Sequence, residues 1–277
     1  MPAAERAVTL TAEALQFASV RGARLGYRFD GPPGAPVVML SNSLMSTHAM
    51  WQPQMTALTG RWRVLRYDTR GHGASEVTPA PYSIESLADD AAALLDALKI
   101  PAVHFVGLSK GGMIGQQLAV RHPQRVRSLV LADTASEMPP LAMWEERLAI
   151  ARRDGIAGLV EGTLKRWFRA GFAERAPQTI AAVRAMILTT PVEGYVGCAS
   201  AVRDMSQTRI LKSIKAPTLV VVGEQDPACT VAQARVLARA IPGARLEVIP
   251  DAAHLANIEQ PEQFNRLLLD FLKNQET

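Results

Sequence analysis

Short apolar runs recur along the chain and are separated by longer stretches with helical spacing. Such brief, nearly continuous runs suit strands that are buried on both faces of a parallel sheet. The predicted strands are residues 36–40, 63–67, 104–106, 126–132, 218–222 and 246–249. Alternating polar and apolar positions in residues 15–20 and 25–29 predict an antiparallel hairpin before the first of them.

Amphipathic patterns lie between these runs. Apolar residues follow the N-cap candidate Ser83 at helical spacing, and similar stripes cover residues 231–241 and 264–271. Strands that alternate with helices indicate βαβ units. The fold class predicted is therefore α/β, with a mostly parallel central sheet flanked by helices.

Residues 136–208 interrupt this alternation, because no convincing strand pattern occurs there. Helical patterns cover residues 144–153, 156–168, 177–188 and 194–205. Ligand sites of open α/β sheets lie at the carboxyl ends of the strands. We therefore predict a core of residues 1–135 and 209–277, with residues 136–208 inserted as a helical cap over that edge.

Composition and charge exclude several classes of protein. The 277 residues carry 30 Lys and Arg against 26 Asp and Glu, a net charge of +4 without a basic run, so no nucleic-acid partner is expected. Two cysteines, Cys198 and Cys229, exclude a disulfide framework. Residues 1–10 lack a secretory signal pattern, and no apolar stretch is long enough to span a membrane. We expect a cytoplasmic protein, either a monomer or a homodimer.

The most specific motif is Gly107-Leu108-Ser109-Lys110-Gly111, which follows one predicted strand and precedes a helical pattern. In this context Gly-x-Ser-x-Gly is a nucleophile elbow, a turn so sharp that it projects the serine above the sheet. A glycine-rich turn that only packs is the alternative. The strand and helix on either side favour Ser109 as a nucleophile.

A serine hydroxyl needs a base, and the base needs a carboxylate, in the chain order Ser, Asp or Glu, His. His254 follows a late strand and is the candidate base. Asp226, in the loop after residues 218–222, is the candidate acid. Glu224, Asp133 and Asp251 are rivals, although Asp251 more plausibly fixes its own turn.

The other four histidines are assigned structural roles. His104 lies inside a strand, His122 ends a helix, and His72 shapes a loop. His48 follows the loop that is expected to bind the oxyanion, and no catalytic role is predicted for it.

An oxyanion hole for acyl transfer needs two backbone donors. The amide of Lys110, directly after the nucleophile, supplies one, and the amide of Leu44, in the loop after residues 36–40, supplies the other. A helix-capping turn is the alternative reading of that loop. No His pair or Cys–His cluster is spaced for a metal, so neither a metal nor a cofactor is expected.

Taken together, these segments resemble α/β-hydrolases and, among them, the 3-oxoadipate enol-lactonases of aromatic catabolism. Most of the superfamily has His-Gly where this chain and the lactonases have Ser41-Asn42-Ser43-Leu44. The other matching segments are the elbow and residues 50–54, 66–73, 131–135 and 253–255. The resemblance implies a triad of Ser109, Asp226 and His254, with Leu44 and Lys110 as oxyanion donors.

Two residues depart from the lactonase pattern. The lactonases usually have glycine at the position of Met45 and methionine at that of Lys110. We expect Met45 to add bulk beside the pocket. Lys110 either places a cation near the nucleophile or points into solvent.

The resemblance implies a small-molecule ester or lactone as substrate, specifically an enol-lactone that bears a carboxylate. Arg166 is a candidate cation for that carboxylate, or else part of a solvated helix face. Met138, Trp144 and Trp167 are candidate apolar residues of the pocket, or else packing residues of the cap. The alternatives are a carboxylesterase, a hydrolase of carbon–carbon bonds in ring-cleavage products, and a ligand-binding receptor on the same fold.

Overall fold

The computed structural model describes residues 14–138 and 140–275. Within them, eight strands form one sheet. In chain order, β1 to β8 are Gln16–Val20, Ala23–Asp30, Val37–Ser41, Arg63–Tyr67, Val103–Leu108, Val126–Ala132, Thr218–Gly223 and Arg245–Ile249. Every predicted strand is found, and the ends differ from the prediction by two residues at most.

The strand order across the sheet is β1-β2-β4-β3-β5-β6-β7-β8. β2 pairs antiparallel with both β1 and β4, whereas β3 to β8 pair in parallel. The mostly parallel sheet and its lead-in hairpin are therefore confirmed. The parallel strands end together, which places the loops after β3, β5, β6, β7 and β8 at one edge.

Helices join the strands and cover the sheet. In chain order, α1 to α11 are Gln52–Leu58, Ile84–Ala97, Lys110–Arg121, Leu141–Asp154, Val160–Trp167, Phe172–Arg175, Pro177–Leu188, Val192–Asp204, Val231–Ala240, Ala256–Glu259 and Pro261–Lys273. The predicted N-cap of α2 is confirmed, because Ser83 and Ser86 form a reciprocal capping box. None of these helices is long and apolar enough to cross a bilayer.

The α3 helix shows how the sequence sets the packing of helices on the sheet. Ten of its twelve residues are buried, because it lies against β5 and β6 on one side and against α2 on the other. Gly115 allows the close approach, since a Cβ there would lie 2.9 Å from the Phe105 ring. Tight packing of α3 fixes the position of its first residue, and with it the turn that carries Ser109.

The segment between β6 and β7 contains only helices apart from one isolated bridge, in the part that the structure describes. Its two ends meet: the Gln207 amide donates to the Ser136 carbonyl at 2.9 Å, and the Ser136 and Thr208 hydroxyls lie 2.8 Å apart. The segment therefore leaves and rejoins the core at one place. The division into domains, the cytoplasmic location and the oligomeric state stay predictions. The secretory-signal prediction for residues 1–10 lies outside the described residues.

Candidate active site

The turn after β5 holds Ser109 in a strained conformation. Its φ of 55° and ψ of −117° lie where L-residues are rarely found. The turn is held by the Ser109 amide, which donates to the Ala132 carbonyl at 2.9 Å, and by the Thr134 hydroxyl, which donates to the Ser109 carbonyl at 2.7 Å. The surrounding structure thus fixes Ser109 at the N-cap of α3, where the helix dipole favours negative charge.

The two glycines of the motif are explained by steric contact. A Cβ at Gly107 would lie 2.2 Å from the Gly111 carbonyl oxygen, and one at Gly111 would lie 2.1 Å from the Ser41 carbonyl oxygen. Both distances are far below van der Waals contact, so only glycine fits at either position. The Gly-x-Ser-x-Gly spacing therefore follows from how closely α3 approaches β3 and from the sharpness of the turn itself.

The side chains of His254 and Asp226 form a hydrogen-bonded pair. The Nδ1 atom of His254 lies 2.8 Å from Oδ2 of Asp226, and both side chains are buried. The other oxygen, Oδ1, accepts the amides of Ala228 and Cys229 at 2.7 and 3.0 Å. An ionised carboxylate accepts all three bonds, which leaves Nδ1 as the protonated nitrogen of His254 and Nε2 as the basic one.

The loop around His254 is braced from two sides. The Ala253 amide donates to the Glu259 carboxylate at 2.8 Å, and the Leu255 amide donates to the Trp167 carbonyl at 3.0 Å. The second bond joins Trp167, at the end of α5, to the residue that follows His254. The helical segment is therefore fixed directly beside His254.

The three rival acids have other roles. Glu224 is exposed, and Asp251 pairs with Arg169 at 2.6 Å. Asp133 is buried, accepts the Gly223 amide at 2.8 Å through Oδ1, and has no partner on Oδ2 among the described residues. Burial and the nearby charge of Asp226 raise the pKa of Asp133 well above its usual range. Both effects favour the neutral, protonated form of Asp133 beside the His254–Asp226 pair.

A neutral Asp133 leads to a first prediction, for Asp133→Asn. Because asparagine is isosteric with the protonated acid, hydrolytic activity should change little. The pKa of Asp133 is higher in the folded protein than in the unfolded chain. The free energy of unfolding of the wild type should therefore fall as the pH rises between these two pKa values, because only the unfolded chain then releases the proton. Urea unfolding at pH 5 and pH 8 should show that Asp133→Asn loses part of this pH dependence, whereas exposed Asp251→Asn keeps it. A large loss of activity in Asp133→Asn would contradict the assignment.

The backbone amides of Leu44 and Lys110 are the candidate donors to an oxyanion. Lys110 is the first residue of α3, where an amide has no acceptor inside the helix. No acceptor for the Leu44 amide is found within residues 14–138 and 140–275. The loop that carries Leu44 is held by its neighbours: the Ser46 hydroxyl donates to the Ser43 carbonyl at 2.9 Å, and the Asn42 side chain donates to the Tyr67 carbonyl at 2.8 Å.

The two residues that depart from the lactonase pattern, Met45 and Lys110, have completely buried side chains. Met45 is completely buried and does not line the cavity, contrary to the prediction. Its φ of 63° is in the left-handed region, which explains why glycine suits this position. The Lys110 side chain does not point into solvent: it is completely buried and donates to the Thr69 hydroxyl at 2.5 Å. The position of Lys110 directly after Ser109 fixes where its backbone amide lies, but the sequence did not predict the direction of its side chain.

A cavity of about 200 Å³ joins these groups. Ser109, His254 and Leu44 line it on the side of the core, and four predicted residues of the helical segment line it as well: Met138, Trp144, Arg166 and Trp167. This volume is below the range typical for drug-sized ligands, so it suits a small substrate.

A second cavity, of about 550 Å³, is lined in part by residues 47–49, which follow the loop that carries Leu44. Its lining includes His48 and Asp68 but neither Ser109 nor His254. His48 shares a hydrogen bond with Asp68, at 3.1 Å from Nδ1, rather than with any part of the elbow. The larger cavity is therefore separate from the candidate chemistry, and the absence of a catalytic role for His48 stays the prediction.

Arg147 is the residue that sequence reasoning missed. It lines the smaller cavity together with Arg166, and no carboxylate pairs with either guanidinium in the described part of the chain. Arg147 contacts the Tyr195 hydroxyl at 3.1 Å, and Arg166 contacts the Thr163 hydroxyl at 3.4 Å. Burial and the charge of Arg147 lower the pKa of Arg166 to about 10. Helical spacing could have found Arg147, because it lies three residues after Trp144 on the inner face of α4.

The fold also brings together a group with potential metal ligands. One ligand atom each of Asp226, Cys229 and His254 lies within 4.8 Å of the others, so the view that no Cys–His cluster exists was wrong. It arises because the loops after β7 and β8 are neighbours. Both Asp226 oxygens already accept N–H donors, and burial raises the pKa of the Cys229 thiol well above its usual range. Metal ligation needs a thiolate, so this donor set fits a hydrogen-bonded His–Asp pair better.

Comparisons with known proteins agree with this geometry. A model of the alpha/beta hydrolase fold family matches residues 36–261. The chain is 36% identical to 3-oxoadipate enol-lactonase 2 of Acinetobacter baylyi over 249 residues, which are 90% of this chain and 93% of that protein. It is 35% identical to enol-lactonase 1 of the same organism over 254 residues, 92% of this chain and 95% of that one. The crystal structure of the enol-lactonase from Burkholderia xenovorans superimposes with a TM-score of 0.91 at 42% identity, covering 93% of this chain and all of that one.

Proposed function

The chain belongs to the alpha/beta hydrolase fold family, and from that premise we propose that it opens a small, carboxylate-bearing enol-lactone through an acyl-enzyme on Ser109. Its relatives show that it is a carboxylic ester hydrolase of the lactonase and esterase type. The finer assignment of substrate and of catalytic residues is our proposal.

In the proposed mechanism, Ser109 Oγ attacks the lactone carbonyl carbon while His254 Nε2 takes the hydroxyl proton. Asp226 holds His254 in the tautomer that this step needs. The amides of Leu44 and Lys110 bind the carbonyl oxygen as it becomes negative. The ring C–O bond then breaks, and His254 returns the proton to the leaving enol oxygen.

The same groups then hydrolyse the acyl-enzyme, with water taking the place of the Ser109 hydroxyl as nucleophile. His254 takes a proton from water, the resulting hydroxide attacks the ester carbon, and the two amides again hold the oxyanion. When the bond to Ser109 breaks, His254 returns the proton to Oγ. The product is an open-chain acid, and the enol relaxes to its ketone in water. The residues supply all proton transfers, so the mechanism requires no further group.

The observation that carries the substrate assignment is the pair of guanidiniums in the cavity wall. Arg147 and Arg166 both line a cavity that contains Ser109, and neither has a carboxylate partner among the described residues. A partly buried cation without a counterion is costly, and a substrate carboxylate would offset that cost. Since the name of the enol-lactonase relatives specifies a 3-oxoadipate skeleton, the same class of anionic lactone is the proposed substrate here.

A small hydrolysis panel tests the proposed function. It compares a carboxylate-bearing enol-lactone, the p-nitrophenyl esters of acetate and butyrate, and a dienoate from ring cleavage. We expect the highest kcat/KM on the lactone, and Ser109→Ala should abolish it. Preference for the neutral esters would favour a carboxylesterase, preference for the dienoate would favour a carbon–carbon hydrolase, and binding without turnover would favour a receptor.

A further inference from the structure

His72, in the loop after β4, contacts the oxyanion loop directly. Its Nε2 atom accepts the Met45 amide at 3.0 Å, and the imidazole is completely buried. Met45 directly follows Leu44 and has a φ of 63°, a conformation that a residue with a side chain adopts only when its surroundings hold it. This hydrogen bond therefore helps to fix the peptide next to the proposed oxyanion donor.

The bond requires a neutral His72. A protonated imidazole carries hydrogens on both nitrogens and has no acceptor to offer the Met45 amide. After protonation, the N–H at Nε2 of His72 would face the N–H of Met45 in a buried position. The strained Met45 peptide would then lose its hydrogen-bond acceptor. The Leu44 amide would then be free to turn away from the position where the oxyanion forms.

Lys110 lies next to this arrangement; burial lowers the pKa of its own amine, while Cys198 and Asp68 act to raise it. Its ammonium donates to the Thr69 hydroxyl at 2.5 Å, while the His72 amide donates to the Thr69 carbonyl at 2.9 Å. Both residues thus bind Thr69, Lys110 through its side chain and His72 through its backbone amide. Burial first, and then the positive charge of Lys110, hold the pKa of His72 well below its usual range.

We propose that His72 is a positioning residue of the oxyanion hole, acting through its hydrogen bond to the Met45 amide and kept in its neutral, accepting form by its burial and by the neighbouring Lys110 side chain. The inference rests on the proposed function, because it takes the Leu44 amide as an oxyanion donor. Lys110 then has two roles. Its backbone amide binds the oxyanion, and its side chain acts on His72, which positions the peptide next to the other donor, Leu44.

Other charged groups around this cluster have partners of their own. Asp68 accepts the His48 amide at 2.7 Å and the Ala74 amide at 3.0 Å, and Arg70 forms an ion pair with Asp90 at 2.7 Å. Cys198 reaches the cluster from α8, and burial raises the pKa of its thiol. Among these groups, Lys110 is the one whose charge acts on His72.

Two variants of His72 test the positioning role. His72→Leu removes the acceptor, whereas His72→Gln keeps a neutral acceptor at every pH. For His72→Leu we expect kcat on the enol-lactone to fall by about 10- to 100-fold with little change in KM, because loss of a whole oxyanion donor costs about 100- to 1000-fold. His72→Gln should recover most of the loss, and the matched control His122→Gln should behave as wild type.

The outcomes separate this inference from the proposed function. Full kcat in His72→Leu, or equal losses in the Leu and Gln variants, would overturn the positioning role while leaving the Ser109 mechanism intact. If His72→Leu does not fold, the Gln variant decides: it must show near-wild-type kcat. Lactone hydrolysis that persists in Ser109→Ala would instead overturn the proposed function itself.

Titration of the imidazoles by NMR tests the part assigned to Lys110. In the wild type, the His72 ring signals should stay those of the neutral form down to acidic pH. Lys110→Met removes the charge, so the His72 transition should move up by about one pH unit, while His122 does not move. An unchanged His72 titration in Lys110→Met would refute the electrostatic part of the proposal.

Discussion

Asp226→Asn is expected to lower kcat on the enol-lactone by about four orders of magnitude with KM nearly unchanged, the scale seen when a triad histidine takes the wrong tautomer. Two backbone amides already bind Oδ1 of Asp226, so the amide oxygen of an asparagine stays there. Its NH₂ group then faces Nδ1 of His254, which must accept, and the imidazole proton moves to Nε2. In that tautomer His254 cannot take the proton of Ser109.

The measurement is single-turnover and steady-state kinetics on folded protein, checked by its thermal transition. Asp133→Asn and Asp251→Asn are matched controls, since neither carboxylate contacts His254, and both should stay near wild type. A fall of less than about tenfold in Asp226→Asn, or an equal fall in Asp133→Asn, would contradict the assignment of the acid.

Replacing both cavity arginines is expected to have the second largest effect. For Arg147→Met with Arg166→Met, kcat/KM on the carboxylate-bearing lactone should fall by about a thousandfold, because each charge-assisted hydrogen bond contributes about 1.5–3 kcal/mol. The methyl ester of the same lactone, which lacks the negative charge, should be hydrolysed at close to the wild-type rate. The comparison of the two substrates isolates recognition of the anion from damage to the site.

Exposed cations on the same two helices provide the control. Arg152→Met on α4 and Lys165→Met on α5 remove equal charge without touching the cavity, and both should leave the lactone kinetics unchanged. Equal losses on the charged and neutral substrates in the double variant would show that the arginines support the cavity wall rather than bind a carboxylate.

The parts of the site that sequence could predict are those fixed by the backbone. Gly107 and Gly111 are required by contacts of the turn, and Asp226 and His254 follow strands that end at the same edge of a parallel sheet. Strand order and chain order then bring Ser109, Asp226 and His254 to neighbouring loops. The fold and the candidate triad therefore follow from local patterns whose geometry is nearly invariant.

The parts that sequence could not predict depend on where long side chains go. Arg147 faces the cavity only because α4 packs on α8 with Trp144 inward. The sequence predicted a Lys110 side chain near the nucleophile or in solvent, yet the side chain runs inward to Thr69. Met45 is buried behind the cavity wall, where its sulfur contacts Arg147 at 3.8 Å. Each of these outcomes is decided by packing between segments far apart in the chain.

The most direct test of the central claim is mass spectrometry of the protein after reaction with a p-nitrophenyl alkylphosphonate, an irreversible mimic of the tetrahedral intermediate. The account predicts one adduct for each chain, mapped to Ser109, with one p-nitrophenolate released, no adduct in Ser109→Ala, and much slower labelling in His254→Gln. An adduct on another residue, or an unlabelled wild-type protein that still hydrolyses the lactone, would contradict it.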